Sequence, residues 1–99
     1  MLCILLTAGY VQARVHRSES WAETQFDKAE SQRETLEGRA EQSRTRREYE
    51  TVITAYRRVV LEAPTSSKAD DSAFAVAEIT AEMGRRFQDA RFAMARRPT

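Results

Sequence analysis

Cysteine is all but missing from this chain. Cys3 stands alone among 99 residues, so no intramolecular disulfide can form and no cysteine-built metal site can be assembled. Histidine is equally scarce, with His16 the sole example. A Ser–His–acid triad could use only His16, which sits close to a terminus that a core does not shield. Glycine and proline are also few, at three and two. The glycines are isolated, so there is no glycine-rich phosphate loop, and the turns of a many-stranded sheet lack their usual material. Neither sign of charge dominates. Sixteen basic residues face fifteen acidic ones, for a net charge of +1, whereas nucleic-acid binders carry a clear basic excess or a basic face. The densest basic run, Arg44, Arg46 and Arg47, is answered by Glu48 and Glu50 and reads as a solvated, salt-bridged helix face. No nucleic-acid partner is expected. Nor is there a long apolar run: Met1 to Gly9 is far too short to span a bilayer.

What the chain does contain is charge and helical periodicity. Charged residues make up 31% of it, which suits a thin layer of paired helices better than a thick globule. The fold class is all-α. The strongest stripe is Tyr49, Val52, Ile53, Tyr56, Val59 and Val60, predicting a helix over about 46–62. Thr45-Arg-Arg-Glu48 is a capping box at its start. Pro64 ends it, because proline lacks an N–H and biases Ala63 away from the helical region. Thr65-Ser66-Ser67 makes the turn. Asp70 and Asp71 then open a further helix, where negative charge suits the helix dipole. That helix is expected to bury Ala69, Ala73, Val76, Ala77, Thr80 and Met83, with Gly84 as its left-handed stop. Asp89 would cap a last short helix holding Ala90, Ala93 and Met94, and the residues from Arg96 to Thr99 are expected to fray.

Ahead of these lies a weaker helix over about 20–40. Ser20 and Glu23 form a candidate capping box. Ala22, Phe26, Ala29, Arg33, Leu36 and Ala40 share one face, of which only Phe26 and Leu36 are large and apolar. Such a helix leans on a partner or on local pairs such as Arg33 with Glu37. The two apolar stripes are out of phase, which predicts a break between Leu36 and Thr45. The carboxylate pairs Glu19 with Glu23 and Glu37 with Glu41 read as solvated faces. Tyr56 and Phe74 read as core aromatics at helical spacing. Trp21 either staples the first helix to the others or stands exposed as a contact point.

Residues 45–95 resemble a tetratricopeptide repeat. Val52, Tyr56, Val59 and Pro64 follow the family's spacing of small residue, aromatic, small residue and proline, with Val in place of the usual alanine twice. Ala73, Val76, Ala77, Met83-Gly84, Phe87 and Ala90 look like the start of the next unit. The resemblance implies antiparallel helical hairpins whose core is Val52, Tyr56, Val59, Pro64, Val76, Ala77, Met83 and Gly84. A narrower likeness runs from Arg44 to Phe87. It is similar to the helical region that precedes the catalytic domain in some exported bacterial N-acetylmuramoyl-L-alanine amidases, zinc enzymes of peptidoglycan. That likeness implies a cell-envelope module beside an absent catalytic part, because the ligand set of a zinc amidase cannot be built from one histidine.

The expectation for function is therefore a non-catalytic helical scaffold that binds a protein partner or an adjacent domain, with no cofactor, no metal and no stable membrane span, and with self-association as one mode. The alternative is a free-standing tetratricopeptide-like adaptor in the cytoplasm. Residues 1–13 read as a shortened export signal, with Val11-Gln12-Ala13 placed for cleavage before Arg14, and the carboxyl end as a truncation.

Overall fold

A computed structural model describes residues 16–95, with side chains from 16 to 87. The export signal read in residues 1–13, Cys3 and the frayed end from Arg96 fall outside the described residues, whereas the separate short helix expected to start at Asp89 is not formed, because one helix runs unbroken from Ala69 to Ala95. Among the described residues the chain is all-helical. Helix α1 spans Glu19–Glu37, a short 3-10 turn spans Glu41–Ser43, α2 spans Arg46–Glu62 and α3 spans Ala69–Ala95.

Helix α1 starts two residues earlier than the Ser20–Glu23 box implies. Ser18 is the N-cap, and its hydroxyl accepts a hydrogen bond from the Trp21 N–H. The reason lies in the chain ahead of it: Arg17 N–H donates to the Glu62 carbonyl at 2.6 Å, fixing the entry beside the end of α2. The break after Leu36 is present. Gly38 ends α1 with an ordinary right-handed backbone (φ −74°), and the C-terminal carbonyl of Glu37 is satisfied by Arg44, whose Nη2 donates to it at 3.0 Å. Helix α2 opens on the complete Thr45–Glu48 capping box and closes at Ala63, before Pro64.

Helix α2 is the centre of the bundle. It packs against α1 on one side and α3 on the other, and it buries Tyr49, Val52, Ile53, Ala55, Tyr56 and Val59. The chain reverses at each turn, so α1 and α3 run the same way with α2 opposed to both. One apolar cluster joins Ala29 and Leu36 of α1 with Tyr49, Val52, Ile53 and Tyr56 of α2 and Ala75 and Ile79 of α3. A smaller one joins Ala22, Val59 and Ala63, with Trp21 packed over it. The rings of Phe26 and Tyr56 meet edge-on at 5.8 Å, an arrangement favoured by their quadrupoles.

Two expected features of α3 and one of the turn before it are corrected. Its buried stripe is Ala69, Ser72, Ala75 and Ile79, with Val76, Met83 and Phe87 half-covered, whereas Ala73, Ala77 and Thr80 face solvent. The helix is thus turned by about one residue from the expected face. The physical cause is that Ile79 and Phe87 anchor it on α2, and the alanines follow wherever those large side chains point. Gly84 is no stop: α3 passes through it to Ala95, and no described glycine has a positive φ. A helix C-cap needs a left-handed residue and an apolar contact that closes the turn; here the helix is held beyond Gly84 by Phe87, whose ring meets Tyr49 edge-on at 6.1 Å. Pro64 is exposed and contributes to the turn, not to the core. Beyond Phe87 the α3 backbone continues roughly 12 Å along its axis, past the first residues of α2.

Polar ties fix the three helices in register. Gln25 of α1 is buried, and its Nε2 donates to the Ala55 carbonyl of α2 at 3.1 Å. The Tyr56 hydroxyl donates to the Glu30 carboxylate across the same seam. Burial, reinforced by that negative neighbour, pushes the Tyr56 phenol above its ordinary value of 10.0. Directly between α1 and α3, the Arg33 guanidinium, paired within its own helix with Glu37 at 3.1 Å, reaches Glu78 at 3.4 Å.

Candidate interaction surfaces

Two surfaces on this bundle have the character of binding faces. The first is a groove of about 270 Å³ between α1 and α2, lined by Ser31, Gln32, Thr35, Leu36, Arg39, Glu48, Thr51 and Val52. Its floor is Leu36 and Val52, both buried. Its walls are threonines whose hydroxyls are already committed: Thr35 Oγ1 donates to the Ser31 carbonyl at 3.1 Å and Thr51 Oγ1 to the Arg47 carbonyl at 3.0 Å. That back-bonding is a habit of helical threonine, and it leaves walls with little hydrogen-bonding capacity. One acceptor is left over, because Gln32 Oε1 is shielded from solvent and has no protein partner. The Arg39–Glu48 ion pair ties the helices together at the loop end of the groove.

The second surface is the outward face of α3. Phe74 stands on it with 67% of its area exposed, among the exposed small residues Ala73, Ala77 and Ala81. Phe74 is not the core aromatic that its helical spacing predicts. It lies one residue off the buried stripe, whose neighbouring position is taken by Ala75. Among the described residues Leu61 of α2 is the other large apolar side chain left open, at 66%. Small residues beside a bare ring let a further helix approach closely, as in other helix–helix seams.

The residues singled out by spacing fall in three groups. Val52 and Tyr56 are buried in α2 and Val76 and Met83 pack against their cluster from α3, while Val59 is buried in the smaller cluster with Ala22 and Ala63. Ala77, Gly84 and Pro64 do not join it. Trp21 is half-buried, with the guanidiniums of Arg17 and Arg58 at 5.2 and 5.5 Å from its ring, a cation–π geometry. Gln25, Ser72, Ala75 and Ile79 are buried positions that the stripe did not include. Gln25 had a signal, since it stands three residues after Ala22 and four before Ala29; its polarity masked it.

One member of each candidate carboxylate pair, Glu19 and Glu37, is engaged by another group. Glu19 turns away from Glu23 to accept from the Ser67 hydroxyl and, at 3.1 Å, from the Ser67 N–H, and these bonds lower its pKa. Glu62 is lowered by Arg58 at 3.0 Å and by Arg17 at 3.2 Å. Glu37 pairs with Arg33. Among the described residues there is no group of three His, Cys, Asp or Glu side chains that could hold a metal ion, and no helix long and apolar enough to cross a membrane. His16 is exposed ahead of α1.

Models of protein families, curated proteins and solved structures were all compared with the chain, and none matches it.

Proposed function

We propose that this chain is a non-catalytic helical interaction module, of tetratricopeptide-like type, that docks a partner protein or an adjacent domain through helix-on-helix packing. The observation that carries the reading is Phe74. A bare ring on an alanine-lined helix face has no role inside this bundle, and an exposed apolar face of this kind is the usual mark of a contact surface. The α1–α2 groove supports the same reading from the opposite side of α2, because its apolar floor and committed hydroxyls suit an inserted side chain better than a reacting group. Units of this sort gain by stacking, since a thin helical layer buries each face only against a neighbour.

The narrower reading places the module in the bacterial cell envelope, ahead of a peptidoglycan amidase domain. It rests on the likeness over Arg44–Phe87 alone. Amino-terminal sequencing of the natural product tests it: a mature chain beginning at Arg14 supports export, and one beginning at Met1 favours a free-standing adaptor.

Phe74→Asp tests the docking face itself. The charge removes the apolar surface without touching the core, so the melting temperature is expected to stay within a few degrees while association with the partner, or with a second copy at high concentration, is lost. A variant that melts far below the parent would show that Phe74 belongs to the core.

A further inference from the structure

The two parts of the bundle carry opposite charge. The α1–α2 connection with the first turn of α2 (residues 38–48) and the stretch of α3 beside it (residues 82–87) hold six arginines against Glu41, Glu48 and Glu82. The remaining described side chains, 16–37 and 49–81, hold eleven carboxylates against six cations. Both lysines of the chain, Lys28 and Lys68, lie in that acidic part, so the cations of the basic end are all guanidinium.

Two of these six arginines are paired with carboxylates and four are not. Arg39 pairs with Glu48. Arg44 reaches Glu82 at 3.5 Å, while its Nε donates to the Arg39 carbonyl at 3.2 Å. Arg86 is held differently: its Nη2 donates to the carbonyls of Gln42 at 3.1 Å and Arg44 at 2.9 Å, which fix its position and leave its charge intact. Its Nε is shielded and has no acceptor. Arg46, at the start of α2, and Arg86 share one aromatic platform. Their guanidinium carbons lie 5.1 and 4.9 Å from the Phe87 ring centroid, so the two cations are at most about 10 Å apart. Arg47 and Arg85 are exposed beside them. Among the described residues no carboxylate forms an ion pair with Arg46, Arg47, Arg85 or Arg86.

We infer that this end of the bundle binds a compact polyphosphate group, with Arg46 and Arg86 as its clamp and Arg47 and Arg85 on its rim. Guanidinium forks match phosphate oxygens in pairs, and a phosphate centre brings up to two negative charges to one point, where a carboxylate brings one. Two like charges held near one ring are therefore better answered by phosphate than by an acidic side chain. The acidic flanks set the size of the ligand. A long polyanion lying along α1 or α3 would meet the carboxylates of the bundle, so the approach is end-on and the ligand short.

The test is calorimetric titration of the full chain with inorganic tripolyphosphate at low salt. The Arg46→Gln/Arg47→Gln double variant alters exposed side chains and removes the Arg46 contact with the Phe87 ring; with a circular-dichroism melt within a few degrees of the parent's, it is expected to weaken binding by about tenfold or more. Lys28→Gln/Arg57→Gln removes the same net charge from the acidic part and is expected to change binding less than about twofold. Equal losses in the two variants would mean that only net charge matters and would overturn the site, as would no binding by the parent chain. A single-stranded oligonucleotide binding more tightly than tripolyphosphate would overturn the compact ligand in favour of nucleic acid. Vesicles of phosphatidylcholine with phosphatidic acid distinguish the source: binding lost in Arg46→Gln/Arg47→Gln assigns a lipid-borne phosphate, and no vesicle binding alongside tripolyphosphate binding assigns a free one.

Discussion

Helices α2 and α3 touch along their whole shared length, yet they are built on different principles. Helix α2 is covered on two sides and is made of large side chains at strict helical spacing. Helix α3 is covered on one side only, and most of its apolar residues are alanines distributed around its circumference. The difference teaches where the fold takes its specificity. Tyr49, Ile53 and Tyr56 determine how the helices meet, and Ile79, Met83 and Phe87 answer them. The alanines of α3 fit whichever face results. It also explains why one face of α3 stays exposed around Phe74, whereas α2 leaves only Leu61 open among its large apolar side chains.

The contrast can be broken most forcefully at its centre. Tyr56→Ala removes a ring with no exposed area, together with its bond to Glu30, and is expected to destabilise the fold by roughly 3–5 kcal/mol. In a domain this thin that is most of the available stability, so thermal unfolding monitored by circular dichroism should find the variant largely unfolded at 37 °C. A melt like the parent's would mean that α2 is not the centre.

A smaller and opposite effect belongs to α3. A Cβ added at Gly84 meets nothing within 4 Å, and the backbone there is helical. Gly84→Ala should therefore stabilise the chain by roughly 0.5–1 kcal/mol, through helix propensity and a less flexible unfolded state. Chemical denaturation would detect this as a raised midpoint at unchanged slope. A lowered midpoint would return Gly84 to the role of a helix stop.

The pH dependence separates the same regions more gently. Glu19 and Glu62, which fasten the start of α1 to the turn after α2 and to its last residues, have folded pKa values below their ordinary 4.5. Their contribution is present above that value and fades as acid protonates them in the folded state. Tyr56 is shifted upward, so its contribution is present below pH 10 and is lost as pH rises beyond it. Stability measured against pH should fall at both margins, and Glu19→Gln should flatten only the acid one.

Much of this was legible in the sequence. The Thr45–Glu48 box, the break after Leu36 and the α2 stripe are local signals carried by polar caps and bulky residues, and the structure contains each of them. Helix α3 was harder for a physical reason. Alanine is small enough to sit in a seam or in water at similar cost, so Ala73, Ala75 and Ala77 carry almost no information about which way the helix faces. The facing is set by Ile79, and by Phe87 packing on Tyr49, a contact between residues far apart in the chain. The same blindness hid Phe74, whose size implied the interior. The arginine end was hidden too, because Arg46 and Arg86 are forty positions apart and converge only through the hairpin of α2 and α3.

The register of α3 on α2 is the claim on which the Phe74 face and the arginine end both rest, and cysteine accessibility measures it directly. In a Cys3→Ser background, Ala75→Cys and Ala77→Cys each place one thiol on α3, two residues apart. The folded protein is predicted to protect the thiol at 75 from maleimide and to leave that at 77 reacting as fast as a free peptide thiol. Protection at 77 with reaction at 75 would turn the helix over, bury Ala77 and contradict the account.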